Sequence, residues 1–316
     1  MEPLDCLIIG GGPAGLNAAV VLGRCRRTVL VFDTEKYRNR WSHGMHNYLT
    51  RDHIPPSEFL QLCQPELEKY GVRVVKKKII RASRNTEGLF EAFDEDGNCH
   101  LARKLLVATG LRDNLPDLPG FEECYGKSVH HCPYCDGWEW RDRKLAVYAK
   151  TKDGSELCLA LQNTWSGNIT YFTDGNRRIK AATREYLEAS GIRIITDPVS
   201  GLKQHNGVLE GVALTKGDVV PVDALFFVNG FSQQCNLAEA FGCQVGRKGA
   251  VITNRSQQTN IPGLYVAGDA TRDMHFVVVA AGEGAKAAVN INKELVKELA
   301  EKKRTQLKDD KGEMAA

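Results

Sequence analysis

The chain has 316 residues, of which 42% are hydrophobic and 26% charged, and its formal net charge is +3. This length is sufficient for two domains with hydrophobic cores, and the weak charge argues against nucleic-acid or membrane-surface binding. Apolar runs long enough to span a membrane are missing, and Glu2 and Asp5 are not typical of a signal peptide. The ten cysteines are scattered, so we expect reduced thiols and a cytoplasmic location.

The first elements follow the order strand, helix, strand. Leu4–Ile9 is an apolar run that predicts a strand buried on both faces of a parallel sheet. A helix is predicted over residues 14–22 and a second strand over 28–32. The acidic Asp33 ends this second strand, 18 residues after Gly15, where a carboxylate accepts hydrogen bonds from a ribose.

A glycine-rich turn joins the first strand to its helix. Gly10 permits a tight turn, Gly12 lets the backbone approach a pyrophosphate, and Gly15 lets helix and strand pack closely. The helix N-terminus offers unpaired N–H groups and the positive end of its dipole to phosphates. Together with Asp33, this turn predicts a bound dinucleotide.

An irregular segment, residues 37–57, follows and is rich in Arg, His and Asn. A loop of this length is usually functional or mobile. His43, His46 and His53 do not have metal-ligand spacing, so we predict no metal site. The elements predicted after it are a helix over 57–70, an antiparallel meander of strands 72–75, 89–93 and 99–101, and a buried strand over 104–108.

Cys132 and Cys135 form a Cys-x-x-Cys pair directly followed by Asp136. Two such cysteines can open and close one disulfide and so transfer two electrons. Half of a zinc site and two buried core cysteines remain alternatives, but a second cysteine pair or spaced histidine pair is missing nearby. A carboxylate beside the pair can carry the proton that a reactive thiol must release. The preceding His130 and His131 could share that task.

A second strand–helix alternation follows the cysteines and predicts another parallel sheet. Its elements are strands over 144–149, 169–172 and 192–196 and helices over 155–162 and 181–189. The turn after its first strand, Ala149-Lys150-Thr151-Lys152-Asp153-Gly154, has a single glycine. Bulky side chains there would keep the backbone away from a pyrophosphate, so we expect a dinucleotide fold without the binding chemistry.

The last third returns to short strands over 207–228, then a strand that ends at Gly268-Asp269 and a long helix over 276–299. The sequence predicts an α/β protein of two Rossmann-like three-layer domains. Residues 1–121 and 230–300 form a split cofactor-binding domain, and 122–229 form an inserted nucleotide-binding-like domain that carries the cysteine pair. Residues 301–316 are predicted to be a disordered polar tail.

Four motifs in this order resemble the low-molecular-weight thioredoxin reductase family of flavoprotein disulfide oxidoreductases. They are Gly10-Gly11-Gly12-Pro13-Ala14-Gly15, Ala108-Thr109-Gly110, Cys132-Pro133-Tyr134-Cys135-Asp136-Gly137 and Gly263-Leu264-Tyr265-Val266-Ala267-Gly268-Asp269. The likeness covers residues 4 to 300. It implies FAD in the split domain and a homodimer that acts on a thioredoxin-like protein or a small dithiol or disulfide.

The resemblance also implies roles for single residues. Cys135 would face the flavin, Cys132 would meet the substrate, and Asp136 would be the acid–base residue. The cofactor-binding residues that it implies are Gly10, Gly12, Pro13, Ala14 and Gly15 at the pyrophosphate, Asp33 at the ribose, Asn47 beside the isoalloxazine, Thr109 and Gly110 near the adenosine half, and Gly268 and Asp269 at the ribityl chain or its phosphate.

Two departures from the family pattern bear on the electron donor. The glycine-rich NADPH turn is missing, and the Arg-Gln that starts the family's last helix is His275-Phe276 here. We therefore expect an FAD-dependent disulfide oxidoreductase that does not use NADPH and receives electrons from ferredoxin or another flavin. The alternatives are an oxygen-dependent dithiol oxidase, an NADPH-dependent thioredoxin reductase with a non-standard site, and a non-catalytic flavin redox sensor.

Overall fold

In the computed structural model, the chain forms two compact units that alternate along the sequence. The structure describes residues 2–176, 178–246, 248–271 and 274–313, without the side chains of 308–313. The first unit comprises residues 1–37, 57–111 and 233–316, and the second comprises 38–56 and 112–232.

The strands in chain order are β1 (Leu4–Ile9), β2 (Val29–Phe32), β3 (Arg73–Val75), β4 (Ile79–Arg84), β5 (Phe90–Asp94), β6 (Cys99–Val107), β7 (Leu111–Asp113), β8 (Val129–His130), β9 (Leu145–Ala149), β10 (Ile169–Phe172), β11 (Arg193–Ile195), β12 (Val199–His205), β13 (Val208–Leu214), β14 (Val219–Pro221), β15 (Ala224–Val228), β16 (Phe231–Gln233) and β17 (Leu264–Val266). The helices are α1 (Pro13–Arg24), α2 (Pro56–Lys69), α3 (Phe121–Cys124), α4 (Pro133–Asp136), α5 (Asp153–Thr164), α6 (Ala181–Ala189), α7 (Leu237–Ala240) and α8 (Val277–Glu313).

The sheet of the first unit has the strand order β3-β2-β1-β6-β5-β4. Strand β6 belongs to both an antiparallel and a parallel part of this sheet. Its beginning pairs antiparallel with β5, and its end pairs parallel with β17. Strand β1 is buried on both faces, as predicted. Cys6 and Ile8 belong to the apolar cluster that contains residues of α1 and α8, and Leu7 and Ile9 belong to the cluster on the opposite face.

The second unit contains a parallel sheet with the order β11-β10-β9-β15-β8 and an antiparallel sheet, β12-β13-β14. Leu145, Val147 and Ala149 of β9 face the side of α5, whereas Ala146 and Tyr148 face the apolar cluster that includes β12 and β13. The predicted α/β class with two Rossmann-like units is confirmed, and both units are split in sequence.

Two features of the first unit differ from the sequence prediction. Residues 73–75 were expected in an antiparallel meander, but β3 extends the parallel sheet beside β2. The meander is completed instead by β4, which is half exposed and polar enough to lack a clear strand pattern. The predicted strands 99–101 and 104–108 are one strand, β6, since neither a glycine nor a proline interrupts residues 102 and 103.

The unit boundaries and the C-terminus also differ from prediction. Residues 38–56, expected in the cofactor-binding domain, belong to the second unit, and the boundaries lie at 111/112 and 232/233. Helix α8 continues to Glu313, where a disordered tail from residue 301 was expected. Residues 301–311 contain strong helix formers and lack Gly and Pro, which explains the continuation. Residues 314–316 lie outside the described part.

Helices α1 and α8 pack closely because small residues line their contact. A Cβ atom at Gly284 would overlap the backbone carbonyl oxygen of Ala14. Nearby, the Asn17 side-chain amide donates a hydrogen bond of 2.6 Å to the carbonyl oxygen of Ala281. The contact holds the first turn of α1 against the start of α8.

We expect Gly284→Ala to lower the free energy of unfolding by about 1–3 kcal/mol, because the new methyl group forces the two helices apart. Gly282→Ala is the matched control, since its Cβ would meet open space in the same helix. That substitution should raise stability by about 0.5–1 kcal/mol through helix propensity. Urea unfolding of the full chain measures both, and equal effects would contradict the close packing.

Candidate functional site

The glycine-rich turn of the first unit has the geometry that its sequence predicts. Gly10 has a φ of +109°, which favours glycine, and a Cβ there would overlap the carbonyl oxygen of Ala108. A Cβ at Gly15 would overlap the carbonyl oxygen of Gly10, so only glycine allows α1 to start this close to β1. Around Gly12, in contrast, the space beyond the Cβ position is open for 4 Å.

The N-terminus of α1 borders this open space. Gly12 precedes the helix, Pro13 is its first residue, and no described side chain caps it. The first turn contains no acidic residue. The helix start therefore offers free N–H groups and the positive end of its dipole, next to the open space at Gly12. This arrangement fits the pyrophosphate of a dinucleotide.

Asp33 lies at the end of β2, beside this turn, and is 7% exposed. A Cβ at Gly11 would meet its carboxylate, which places the acid directly against the turn. The hydroxyl of Tyr37 donates a hydrogen bond to the Asp33 carboxylate. Burial and the neighbouring Asp33 charge raise the pKa of Tyr37, so the phenol remains a donor. Tyr37 belongs to no recognisable motif, so its role could not be predicted from the sequence.

The other predicted cofactor residues of this unit lie at the same edge of the sheet. Thr109 and Gly110 follow β6, which pairs parallel with β1, and Gly268 and Asp269 follow β17, which pairs parallel with β6. Both pairs therefore lie at the carboxyl ends of strands that run parallel to β1. This is the edge at which open α/β sheets bind their ligands.

Glu283 of α8 supports that edge, although no sequence motif marks it. Its carboxylate is 3% exposed and accepts a hydrogen bond of 2.7 Å from the backbone N–H of Gly268. It also accepts hydrogen bonds from the hydroxyl of Thr271. A carboxylate on α8 thus fixes the loop that carries Asp269, and only the fold brings the two segments together.

Asn47 belongs to the second unit. Its side-chain amide donates a hydrogen bond of 2.8 Å to the carbonyl oxygen of Tyr134, between the two cysteines. Its backbone is left-handed, with a φ of +64°.

The cysteine pair is closed in a disulfide at the start of α4. The backbone N–H of Cys135 points at the Cys132 sulfur, 3.2 Å away. Both cysteines are partly exposed, and Tyr134 between them is 65% exposed. After reduction, this N–H is a donor that would stabilise negative charge on the Cys132 sulfur.

His130 is buried beside Asp136, and its hydrogen bond with Trp140 defines the ring tautomer. The indole N–H of Trp140 donates a hydrogen bond of 2.9 Å to Nε2 of His130. An indole can only donate, so Nε2 accepts and the ring proton lies on Nδ1. Nδ1 is 3.3 Å from Oδ1 of Asp136. The His130 ring therefore presents an N–H group to the Asp136 carboxylate.

His131 belongs to a second polar cluster, with Asp113 at its centre. Arg38 forms a bidentate pair with Asp113, at 2.9 Å and 2.6 Å, and the hydroxyl of Tyr125 donates to the same carboxylate. Burial opposes ionisation of Asp113, but the hydrogen bonds and charge of Arg38 outweigh it and lower the pKa to about 2. Desolvation and the Arg38 charge lower the pKa of His131 to about 4, against the attraction of Asp113.

The expected nucleotide turn of the second unit lacks the features of the first. Helix α5 follows Lys152 and carries Asp153 and Glu156 in its first turn. Its one glycine, Gly154, is buried, and a Cβ there would meet Ala149 and the hydroxyl oxygen of Tyr171, 2.6 Å away. This glycine serves the packing of α5 on β9 and β10.

Asp174, after β10, is the counterpart of Asp33 in the second unit. Its carboxylate accepts hydrogen bonds from the hydroxyl of Tyr148 at 2.7 Å and from the backbone N–H of Val199 at 2.8 Å. Lys150 lies 2.7 Å from the same group. These contacts occupy both oxygens within the unit.

Comparisons with known proteins agree with the geometry of both units. Residues 4–284 match the model of the pyridine nucleotide-disulphide oxidoreductase family. Thioredoxin reductase aclD of Aspergillus oryzae is 30% identical over 303 residues, covering 92% of this chain and 96% of the relative. Thioredoxin reductase tcpT of Claviceps purpurea is 33% identical over 282 residues, covering 84% and 86% of the two chains. The crystal structure of HlmI is 34% identical and covers 96% of each chain, with a TM-score of 0.91.

The helices in the described ranges include none that is both long and apolar enough to cross a bilayer.

The motifs, the sheet topology and the comparisons all lead to one assignment. The chain belongs to the pyridine nucleotide-disulphide oxidoreductase family, as a thioredoxin reductase-like, FAD-binding oxidoreductase that acts on sulfur groups.

Proposed function

We propose that this enzyme transfers electrons between FAD and a substrate dithiol or disulfide through Cys132 and Cys135, without a nicotinamide nucleotide. FAD would be held by the glycine turn, Asp33 and the loops after β6 and β17. The contrast between the two units is the observation that carries the proposal. Helix α1 begins at an open glycine with no acid in its first turn, whereas α5 begins with Asp153 and Glu156.

Three features of the second unit oppose a bound dinucleotide: the acidic residues at the start of α5, the enclosed Gly154 and the engaged carboxylate of Asp174. The carboxylates of Asp153 and Glu156 would repel a pyrophosphate at the helix N-terminus. Gly154 is enclosed by packed side chains, so the backbone cannot approach a phosphate there. The oxygens of Asp174 are engaged by Tyr148, Lys150 and Val199, which leaves poor acceptors for a ribose.

The sulfur chemistry follows from the disulfide. A substrate thiolate attacks the Cys132 sulfur, forming a mixed disulfide and releasing Cys135 as a thiolate. The second substrate thiolate then displaces Cys132, which leaves an oxidised substrate and a reduced pair. Bound FAD supplies the two-electron acceptor or donor that turns the pair over. Run in reverse, the same sulfur steps reduce a substrate disulfide.

Asp136 would transfer the protons in these steps, and His130 would orient its carboxylate. Asp136, adjacent to Cys135, takes or returns the thiol proton as the acid–base residue. His130 contributes an Nδ1–H that orients the carboxylate, and Trp140 holds the ring in that tautomer. His131 stays uncharged at neutral pH because its pKa is about 4, so it does not compete as a cation.

A dithiol oxidase is the second candidate, favoured by the same contrast between the units. If a dithiol reduces the flavin and no nucleotide site is used, the electrons need another acceptor, and oxygen requires no protein-built binding site. The comparisons give no support for a ferredoxin donor, so we do not propose one. The thioredoxin-like substrate, the homodimer and the cytoplasmic location stay predictions.

Anaerobic reduction of the flavin tests the proposal directly. Dithiothreitol should bleach the flavin absorbance of the wild-type enzyme, whereas NADPH and NADH should leave it unchanged. Cys135→Ser should abolish bleaching by the dithiol while retaining bound FAD. Exposed Cys25→Ser is the matched control and should behave as wild type.

Bleaching by one equivalent of NADPH would contradict the proposal. No response to any dithiol would contradict the enzyme assignment of the cysteine pair and favour a sensor. Reoxidation by air with formation of the substrate disulfide would support the oxidase, whereas reduced flavin that is stable in air would exclude it.

Replacing the Trp140 donor tests the role of His130. Trp140→Phe frees Nε2 of His130, so the ring proton is no longer confined to Nδ1. We expect the rate of flavin reduction by dithiol to fall about tenfold, with a shifted pH profile, less than the ~10²–10⁴ loss expected for Asp136→Asn. Trp138→Phe, an exposed indole two residues away, is the control. Identical pH profiles for wild type and Trp140→Phe would contradict the positioning role.

His131 should make the enzyme less stable in mild acid. Its unfolded pKa is about 6.5, and its folded pKa is about 4. As the pH falls from 6.5 to 4, the unfolded chain gains a proton that the native state refuses, so stability is lost. Partial exposure reduces the effect to about 1–2 kcal/mol.

Denaturant unfolding at pH 7 and pH 4.5 measures this loss. The loss of unfolding free energy between these pH values should be about 1–2 kcal/mol smaller in His131→Gln than in wild type. It should equal the wild-type loss in His43→Gln, which replaces an exposed histidine of the same unit. An equal loss in wild type and His131→Gln would show that the imidazole ionises freely in the native state.

A further inference from the structure

A small hairpin in the second unit brings two histidines together. The backbone N–H of Met45 donates to the carbonyl oxygen of Ile54, and that of His53 donates to the carbonyl oxygen of Met45, each at 2.8 Å. This pairing places the rings of His46 and His53 side by side, with centroids 5.2 Å apart. The sequence spacing of these histidines gave no metal pattern, since it does not reveal the hairpin.

A carboxylate from the segment after the dithiol completes the group. Oε1 of Glu139 lies 3.6 Å from Nε2 of His46. One ligand atom from each of His46, His53 and Glu139 lies within 4.8 Å of the other two. Glu139 is distant in sequence from the hairpin, and the fold alone brings it to the histidines.

We infer that His46, His53 and Glu139 bind a zinc ion. Two imidazoles and a carboxylate are a common zinc donor set, with water in the fourth position. Zinc-to-ligand distances of about 2.0–2.2 Å put neighbouring ligand atoms about 3.3–3.6 Å apart in a tetrahedron. The separation of His46 and Glu139 is already close to this value, and His53 and Glu139 are exposed enough to rotate inward.

Asp52 provides the outer carboxylate that zinc-binding histidines usually have. Its Oδ1 accepts a hydrogen bond of 2.9 Å from the backbone N–H of Asn47 and lies 3.5 Å from Nδ1 of His46. A carboxylate on the Nδ1 side orients the imidazole so that Nε2 faces Glu139, where a metal would bind.

The site would join the hairpin to the redox segment. Glu139 follows Cys135 by four residues, and Asn47 of the hairpin already donates to the carbonyl oxygen of Tyr134. A bound zinc ion would crosslink these two segments beside the disulfide. Zinc should therefore stabilise the second unit without a ligand from the cysteine pair.

The test uses the full chain with FAD bound and the disulfide closed, because a reduced cysteine pair would itself capture zinc. Titration calorimetry with Zn²⁺ should give one saturable site per chain, and the melting temperature should rise and return on addition of a chelator. Co²⁺ in place of Zn²⁺ should give visible d–d bands without a sulfur-to-metal charge-transfer band.

Variants separate this site from other sources of zinc. His53→Ala and Glu139→Gln, both at exposed positions, should each weaken binding by at least about 100-fold, and Asp52→Asn by about 10-fold. His43→Ala is the matched control, since it removes an exposed histidine of the same loop that lies outside the group, and should bind zinc as wild type does.

Three results would overturn the inference. They are no saturable zinc binding to the oxidised chain, binding that survives both His53→Ala and Glu139→Gln, and a Co²⁺ spectrum dominated by sulfur ligation. None of these depends on the electron donor, so the proposed function and the zinc site fail or succeed independently.

Discussion

The first unit depends on one close contact, between Gly15 at the start of α1 and the carbonyl oxygen of Gly10 at the end of β1. No side chain fits between them, so the helix begins directly over the sheet edge. That position directs the positive helix end to the open space at Gly12 and sets it beside Asp33. A dinucleotide needs this combination of unpaired N–H groups and a ribose acceptor.

The second unit repeats the topology without that contact. Strand β9 and helix α5 correspond to β1 and α1 of the first unit. However, the glycine of this turn packs α5 against the sheet, and acidic residues occupy the first turn of α5. Polar chemistry is concentrated instead at the disulfide. There the indole of Trp140 donates to His130, which lies beside Asp136. Arg38 pairs with Asp113 next to His131. In the proposed function, one fold therefore serves cofactor binding in the first unit and thiol chemistry in the second.

Local patterns determined what the sequence could predict. The glycine turn, Asp33, the cysteine pair and the strand–helix alternation each depend on neighbours in the chain, so the fold class and the FAD assignment followed from the residues and the family likeness. Contacts between distant segments could not be predicted in this way. Glu283 supports Gly268 from another element, Trp140 fixes His130 through the fold, and residues 38–56 join the second unit although the chain enters them from the first.

The claim that the second unit has lost nucleotide binding is tested most directly by equilibrium binding. NADP⁺ and NADPH would be titrated anaerobically into the FAD-bound, oxidised chain and followed by calorimetry. We predict no saturable heat up to about 1 mM nucleotide, a concentration at which even weak specific binding would be detected. A saturable site with one nucleotide per chain and a Kd of about 1–10 μM would contradict the account, because it would require a phosphate cradle that neither Gly154 nor the start of α5 provides.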